Sequence, residues 1–85
     1  MREEKVGEVM KFFAKPGVAA IKVTSGVIAV GDKIKIKGHT TDFEDIIGSM
    51  QIENKAVEQA TAGDLVGIKV KERVREGDEV LKLVD

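Results

Sequence analysis

Three Gly-Asp pairs, Gly31-Asp32, Gly63-Asp64 and Gly77-Asp78, each stand directly before a β-rich run. Glycine adopts a positive φ that other residues resist, and an aspartate can bond its own backbone just beyond a turn, so each pair reads as a strand-launching corner. Ser25 to Lys37 is the clearest copy: a strand end, a short apolar link, the Gly31-Asp32 turn and a second strand. After that turn Ile34 and Ile36 alternate with Lys33, Lys35 and Lys37. A period of two sets the isoleucines on one face and the lysines on the other. The run Leu65-Val66-Gly67-Ile68-Lys69-Val70 follows the second turn, and Glu79 to Val84 follows the third.

The remaining segments fit the same grammar. Val6 to Phe13 and Val18 to Thr24 form a predicted hairpin around Lys15-Pro16-Gly17, where Pro-Gly suits the centre of a type II turn. Phe12 and Phe13 are adjacent, so in a strand one faces the core and the other faces out. Gly38 to Asp42 is a loop. Thr41 and Glu44 fit a capping box, which allows a short helix from Asp42 to Ile47. Gly48 and the β-rich surroundings favour an extended strand to Ile52 instead. Glu53-Asn54 is a turn, and Ala56 to Gln59 a short strand. Leu65 to Arg75 is the longest alternating run; if it stays extended, Lys69, Lys71, Arg73 and Arg75 line one face. Short strands with Gly turns and no convincing long helix predict an all-β fold, a small antiparallel barrel. Residues 1–5 read as a charged tail and residues 6–85 as the single domain.

Composition narrows the functional classes. A chain of 85 residues buries roughly 60–65% of its extended surface, enough for one small core. It has no cysteine, which removes disulfides and thiolate chemistry. No apolar run approaches the ~20 residues of a membrane span, and no signal-like segment follows the charged start, so a cytoplasmic protein is expected. Charged residues make up 34% of the chain, with a single asparagine, Asn54, and a single proline, Pro16; that balance suits a thermophile. Net charge is −1, but residues 11 to 41 carry +5 and residues 42 to 64 carry −5. Such asymmetry can steer a partner, or cancel if the blocks interleave on the surface.

Several stretches together resemble domain two of the translational GTPases, the β-barrel found in elongation factor Tu and initiation factor two. Ser25-Gly26-Val27-Ile28-Ala29-Val30-Gly31-Asp32-Lys33-Ile34-Lys35-Ile36 is similar to its Gly-x-(apolar)-x-x-Gly-Asp/Glu-x-(apolar) signature. Ser49 to Ile52 resembles its central strand, Ala62 to Ile68 its Ala-Gly-Asp/Glu stretch, and Val74 to Leu81 its closing segment. The order matches from Val6 to Val84, most nearly as in small stand-alone translation-elongation-factor-like proteins. The resemblance implies a six- or seven-stranded Greek-key barrel that contacts ribosomal RNA or the aminoacyl end of tRNA. The family's phosphate loop is absent, and Val57 replaces the acid that a guanine-reading Asn54-Lys55 motif would need. No GTP hydrolysis is expected of this chain. Its first hairpin, Lys15-Pro16-Gly17, matches the family's aminoacyl-end pocket too loosely for residue-by-residue transfer.

The residues themselves suggest binding rather than catalysis. His39 with Asp42 is the one acid–base pair in reach of sequence, and the serines sit in no nucleophile motif. No metal-ligand spacing and no cofactor motif is present; a flavin-type barrel shares the architecture, but no flavin is expected. The expected RNA site is the basic strand faces, Lys33, Lys35 and Lys37 with Lys69, Lys71, Arg73 and Arg75, provided both strands face one side. The alternative is a protein-docking or self-associating module, using Phe12, Phe13 and the loop His39, Thr40, Thr41 and Asp42.

Overall fold

The computed structural model describes residues 2–84. Among them are ten strands: β1 (Arg2–Phe13), β2 (Val18–Val23), β3 (Val27–Ala29), β4 (Lys33–Lys37), β5 (Asp42–Ile46), β6 (Met50–Ile52), β7 (Lys55–Val57), β8 (Gln59–Thr61), β9 (Leu65–Lys69) and β10 (Glu79–Val84). The short pieces β3, β6, β7 and β8 join a barrel carried by the six longer strands. All pairings are antiparallel. The main sheet runs β5-β4-β10-β1-β2-β9-β6-β7, and β3 with β8 makes a separate ribbon. The ribbon and sheet share one core, in which Ile28 and Ala60 from the ribbon meet Ile21, Ile34, Ile36, Met50 and Ile68 from the sheet. The predicted all-β antiparallel barrel is therefore the observed fold, and the segment after Thr41 is strand rather than helix.

The three Gly-Asp corners have one geometry. Gly31, Gly63 and Gly77 have φ of 96, 100 and 88°. Each aspartate N–H donates to the carbonyl three residues earlier: Asp32 to Ala29 at 3.0 Å, Asp64 to Thr61 at 3.0 Å and Asp78 to Arg75 at 3.1 Å. Its carboxylate then accepts the N–H of that same residue, at 2.8, 2.9 and 2.9 Å respectively. The side chain reaches back across the turn, not forward beyond it, because the left-handed glycine swings the aspartate over the first residue. A Cβ at these glycines would meet open space, so the backbone angle alone demands glycine. Gly38 is different: a Cβ there would collide with the Asp78 carboxylate.

Four sequence-based boundaries move. Arg2 to Lys5 are not a tail but the start of β1, paired with Leu81 to Val84; backbone pairing is indifferent to their charged side chains, and Glu3 and Lys5 find partners on the barrel wall. The run from Leu65 leaves the sheet after Lys69. Val70 donates to Gly17 O at 2.9 Å, and Val70 and Val74 are buried, capping the barrel while keeping a strand-like parity. The strand from Asp42 breaks after Ile46, because buried Ile47 bonds the Gly31-Asp32 corner from both its N–H and its carbonyl. Glu58 separates β7 from β8. In the first hairpin Gly17 has φ 68°, and its N–H donates to Phe13 O at 2.9 Å. Glu53 and Asn54 both have positive φ, 52 and 65°, the pairing that a tight two-residue hairpin loop requires.

Outward charges on β4 are tied across strands. Lys33 pairs with Glu44 at 3.4 Å, and Lys35 with Glu3 at 3.3 Å and Asp42 at 3.7 Å. Its hydrogen bond to Glu3, then the charges of Asp42 and Glu3, hold the Lys35 ammonium above its usual 10.5. At the barrel end Lys82 Nζ reaches Asp32 at 3.2 Å and donates to Val27 O at 3.0 Å.

Two outcomes follow from this geometry. Gly63→Ala should destabilise the fold by ~1 kcal/mol or more through left-handed strain, while Asp64→Asn, which keeps an acceptor, should cost less than Asp64→Ala. Denaturant midpoints check this, and an unmoved Gly63→Ala midpoint would show that the corner is not left-handed. A raised lysine pKa stabilises the fold while the lysine is charged. The Lys35 contribution is thus complete below 10.5 and fades as pH climbs through its raised value. The melting-temperature gap between the protein and Lys35→Met should narrow there; a constant gap would assign it to packing.

Candidate nucleic-acid interface

Cross-strand register builds a groove on the outer face of β1, β2, β9 and β6. Ala20 on β2 lies opposite Gly67 on β9, and Gly67 lies opposite Gln51 on β6. These small residues form a low floor. The flanking pairs are Val18 with Lys69 and Lys22 with Leu65, and on the β1 side Phe13 stands opposite Val18. The resulting hollow holds about 460 Å³, walled by Phe13, Pro16, Val18 and Leu65 and closed at the β6 end by Gln51, Glu53 and Asn54. Phe13 is 44% exposed and Leu65 53%. Of the adjacent phenylalanines, Phe12 packs against the core and Phe13 faces out, as strand alternation demands.

Cations surround this groove. Lys11 Nζ lies 5.2 Å from the centre of the Phe13 ring. Lys15 sits in the hairpin tip, and Lys22 and Lys69 stand on the flanking pairs. Among the described residues none of these four lysines has a carboxylate within ion-pair distance. Glu8, opposite Lys22 in register, and Glu53 are the nearby acids.

The seven cations singled out from sequence do not form one face. Three strands, β10, β1 and β2, lie between β4 and β9. Lys33 and Lys35 are engaged by acids, and Lys37 has Asp42 and Glu79 as its register neighbours on either side. Lys71, Arg73 and Arg75 lie beyond the end of β9. Lys33 and Lys71 do share a small depression, but Glu44 and Asp45 line it too, and the Lys71 N–H donates to Asp45 Oδ2 at 3.1 Å. Of the seven, only Lys69 borders the groove. His39 and Thr40 are exposed at the β4–β5 loop, whereas Thr41 is buried. Asp42 turns to Lys35, at 3.7 Å, and not to His39.

The groove went unpredicted because its walls are far apart in sequence. Two signals pointed to it: Leu65 shares the outward parity of Lys69, and Ala20 and Gly67 put small residues at outward positions. A second cleft, about 570 Å³ between the β3–β8 ribbon and β6–β7, is lined by residues such as Val30, Ser49, Ala56 and Gln59 and includes no cation. Among the described residues no group of three metal-ligating side chains comes together.

Comparison with known proteins places the fold. The chain is 42% identical over 83 residues to an uncharacterised protease of Methanocaldococcus jannaschii, covering 96% of this chain and 20% of that protein. It is 37% identical over 78 residues to a collagenase of Porphyromonas gingivalis, covering 91% of this chain and 22% of that one. The chain thus spans about a fifth of the length of these curated relatives. The C-terminal domain of a Geobacillus thermoleovorans protein named as a U32 peptidase has the same fold, with a TM-score of 0.88 at 20% identity over 95% of this chain and 93% of that one. Residues 17–81 match elongation factor Tu domain 2. With that match spanning the corners β3–β4, β8–β9 and the turn before β10, the chain belongs to the elongation factor Tu domain 2 family.

Proposed function

We propose that this barrel is a non-catalytic module that binds RNA, of ribosomal or tRNA type, through single-stranded nucleotides held in the outer groove of β1, β2, β9 and β6. One observation carries it: an exposed aromatic ring, Phe13, stands beside a small-residue floor and among four lysines with no described carboxylate within ion-pair distance. Aromatic stacking holds a base whatever its identity, and cations follow the phosphates. Membership of a translation-factor domain family supports the same reading. The proposal moves the contact from the β4 lysines to Lys11, Lys15, Lys22 and Lys69, and gives the barrel no chemical step.

A docking role is the second reading, favoured by the relatives in which the matching region is about a fifth of a chain named protease or collagenase. There the barrel would dock on the rest of such a protein.

Fluorescence anisotropy with a labelled hairpin RNA bearing a single-stranded 3′ tail tests the first reading. Affinity should fall steeply between about 50 and 200 mM salt. Phe13→Ala should cost ~1–3 kcal/mol, and Lys11→Glu with Lys69→Glu should weaken binding more than Lys33→Glu with Lys35→Glu. Absence of binding at low salt, or binding indifferent to Phe13→Ala, would overturn it. Co-elution of the barrel with the separately produced remainder of the Methanocaldococcus relative would instead favour docking.

A further inference from the structure

The groove is longer than one base. It crosses four strands, three inter-strand steps of ~4.8 Å or about 14 Å. Its two exposed apolar platforms stand at diagonal corners. Leu65 lies towards Gln51 and Asn54, and Phe13 lies on β1. Between them the Ala20–Gly67 floor offers nothing to stack on and nothing to obstruct.

Past the floor, β1 is irregular. Its register passes from Val9 opposite Ile21 to Lys11 opposite Ala20, so Met10 is an extra residue. Val9 is 1% exposed and Met10 48%, and Lys11 is exposed as well. Strict alternation would return Lys11 to the core side; the bulge puts both side chains outside. The bulge therefore sets the Lys11 ammonium on the groove side of the strand, where it caps the Phe13 ring.

We propose that the groove takes two consecutive nucleotides of a single strand, one base on Phe13 and the next on Leu65, and that the β1 bulge sets Lys11 beside the Phe13 subsite. Lys22 and Lys69, on opposite walls, flank the path of the linking phosphate. This rests on the RNA-binding reading and adds the length of strand recognised.

Adenosine monophosphate and oligoadenylates of two, three and four residues, titrated into 15N-labelled protein, test it. Affinity should rise about tenfold from one residue to two, with each later residue adding much less. Amide shifts should appear near Phe13 and Lys11 with the monophosphate and extend to Leu65 with the dinucleotide. Leu65→Ala should shrink the first step severalfold, and Leu65→Met should restore it. Equal affinity for one and two residues, with shifts confined to Phe13 and Lys11, would overturn the second subsite and leave RNA binding standing. Gains continuing undiminished to four residues would also overturn it. Absence of any shift at all lengths, together with failure of the tailed hairpin, would remove both.

Discussion

At each corner a backbone carbonyl accepts from the aspartate amide, and the aspartate carboxylate accepts from the amide of the carbonyl's own residue. Two opposed hydrogen bonds close each turn on itself, one of them charge-assisted. This clasp sits immediately before β4, β9 and β10. Once it is shut, the first inward residue of the next strand is determined, and with it the parity of Ile34 and Ile36, of Val66 and Ile68, and of Val80. A slip of one residue would turn those side chains to water and the lysines inward. The core, the outward ion pairs and the groove all inherit their register from three short turns.

Much of this was legible from local pattern. Gly-Asp pairs announce the corners, and the Ile–Lys alternation gives β4 its boundaries. What escaped was set by distant parts of the chain. Val70 and Val74 keep the parity of a strand while capping the barrel end, so periodicity alone cannot tell that the run has left the sheet. Arg2 to Lys5 join the sheet because β10 offers them unpaired backbone, a fact no side-chain pattern carries. The groove needs residues 13, 20, 51 and 67 side by side, and its β1 end needs a bulge that shows no sequence mark.

The charge blocks illustrate the same division. The acids after residue 41 fold beside the lysines before it, so Glu44 and Asp42 meet Lys33 and Lys35. The apparent basic stripe of β4 is half of a neutral ladder. Lys11, Lys15 and Lys22, from the same positive block, are separated from those acids by β4 and β10, and none has a described carboxylate within ion-pair distance. Net charge by segment said that a field could exist; strand order decided where.

The position of β10 has a temporal consequence. The strand β10 is inserted between β4 and β1, so neither can complete its hydrogen bonding until residues 79–84 have emerged from the ribosome. A nascent barrel therefore waits with two bare edges, β1 from Arg2 to Glu8 and β4, and each is a template for wrong pairing. Charges at Arg2, Glu3, Glu4 and Lys5 on one edge and the alternating lysines of β4 on the other disfavour such pairing.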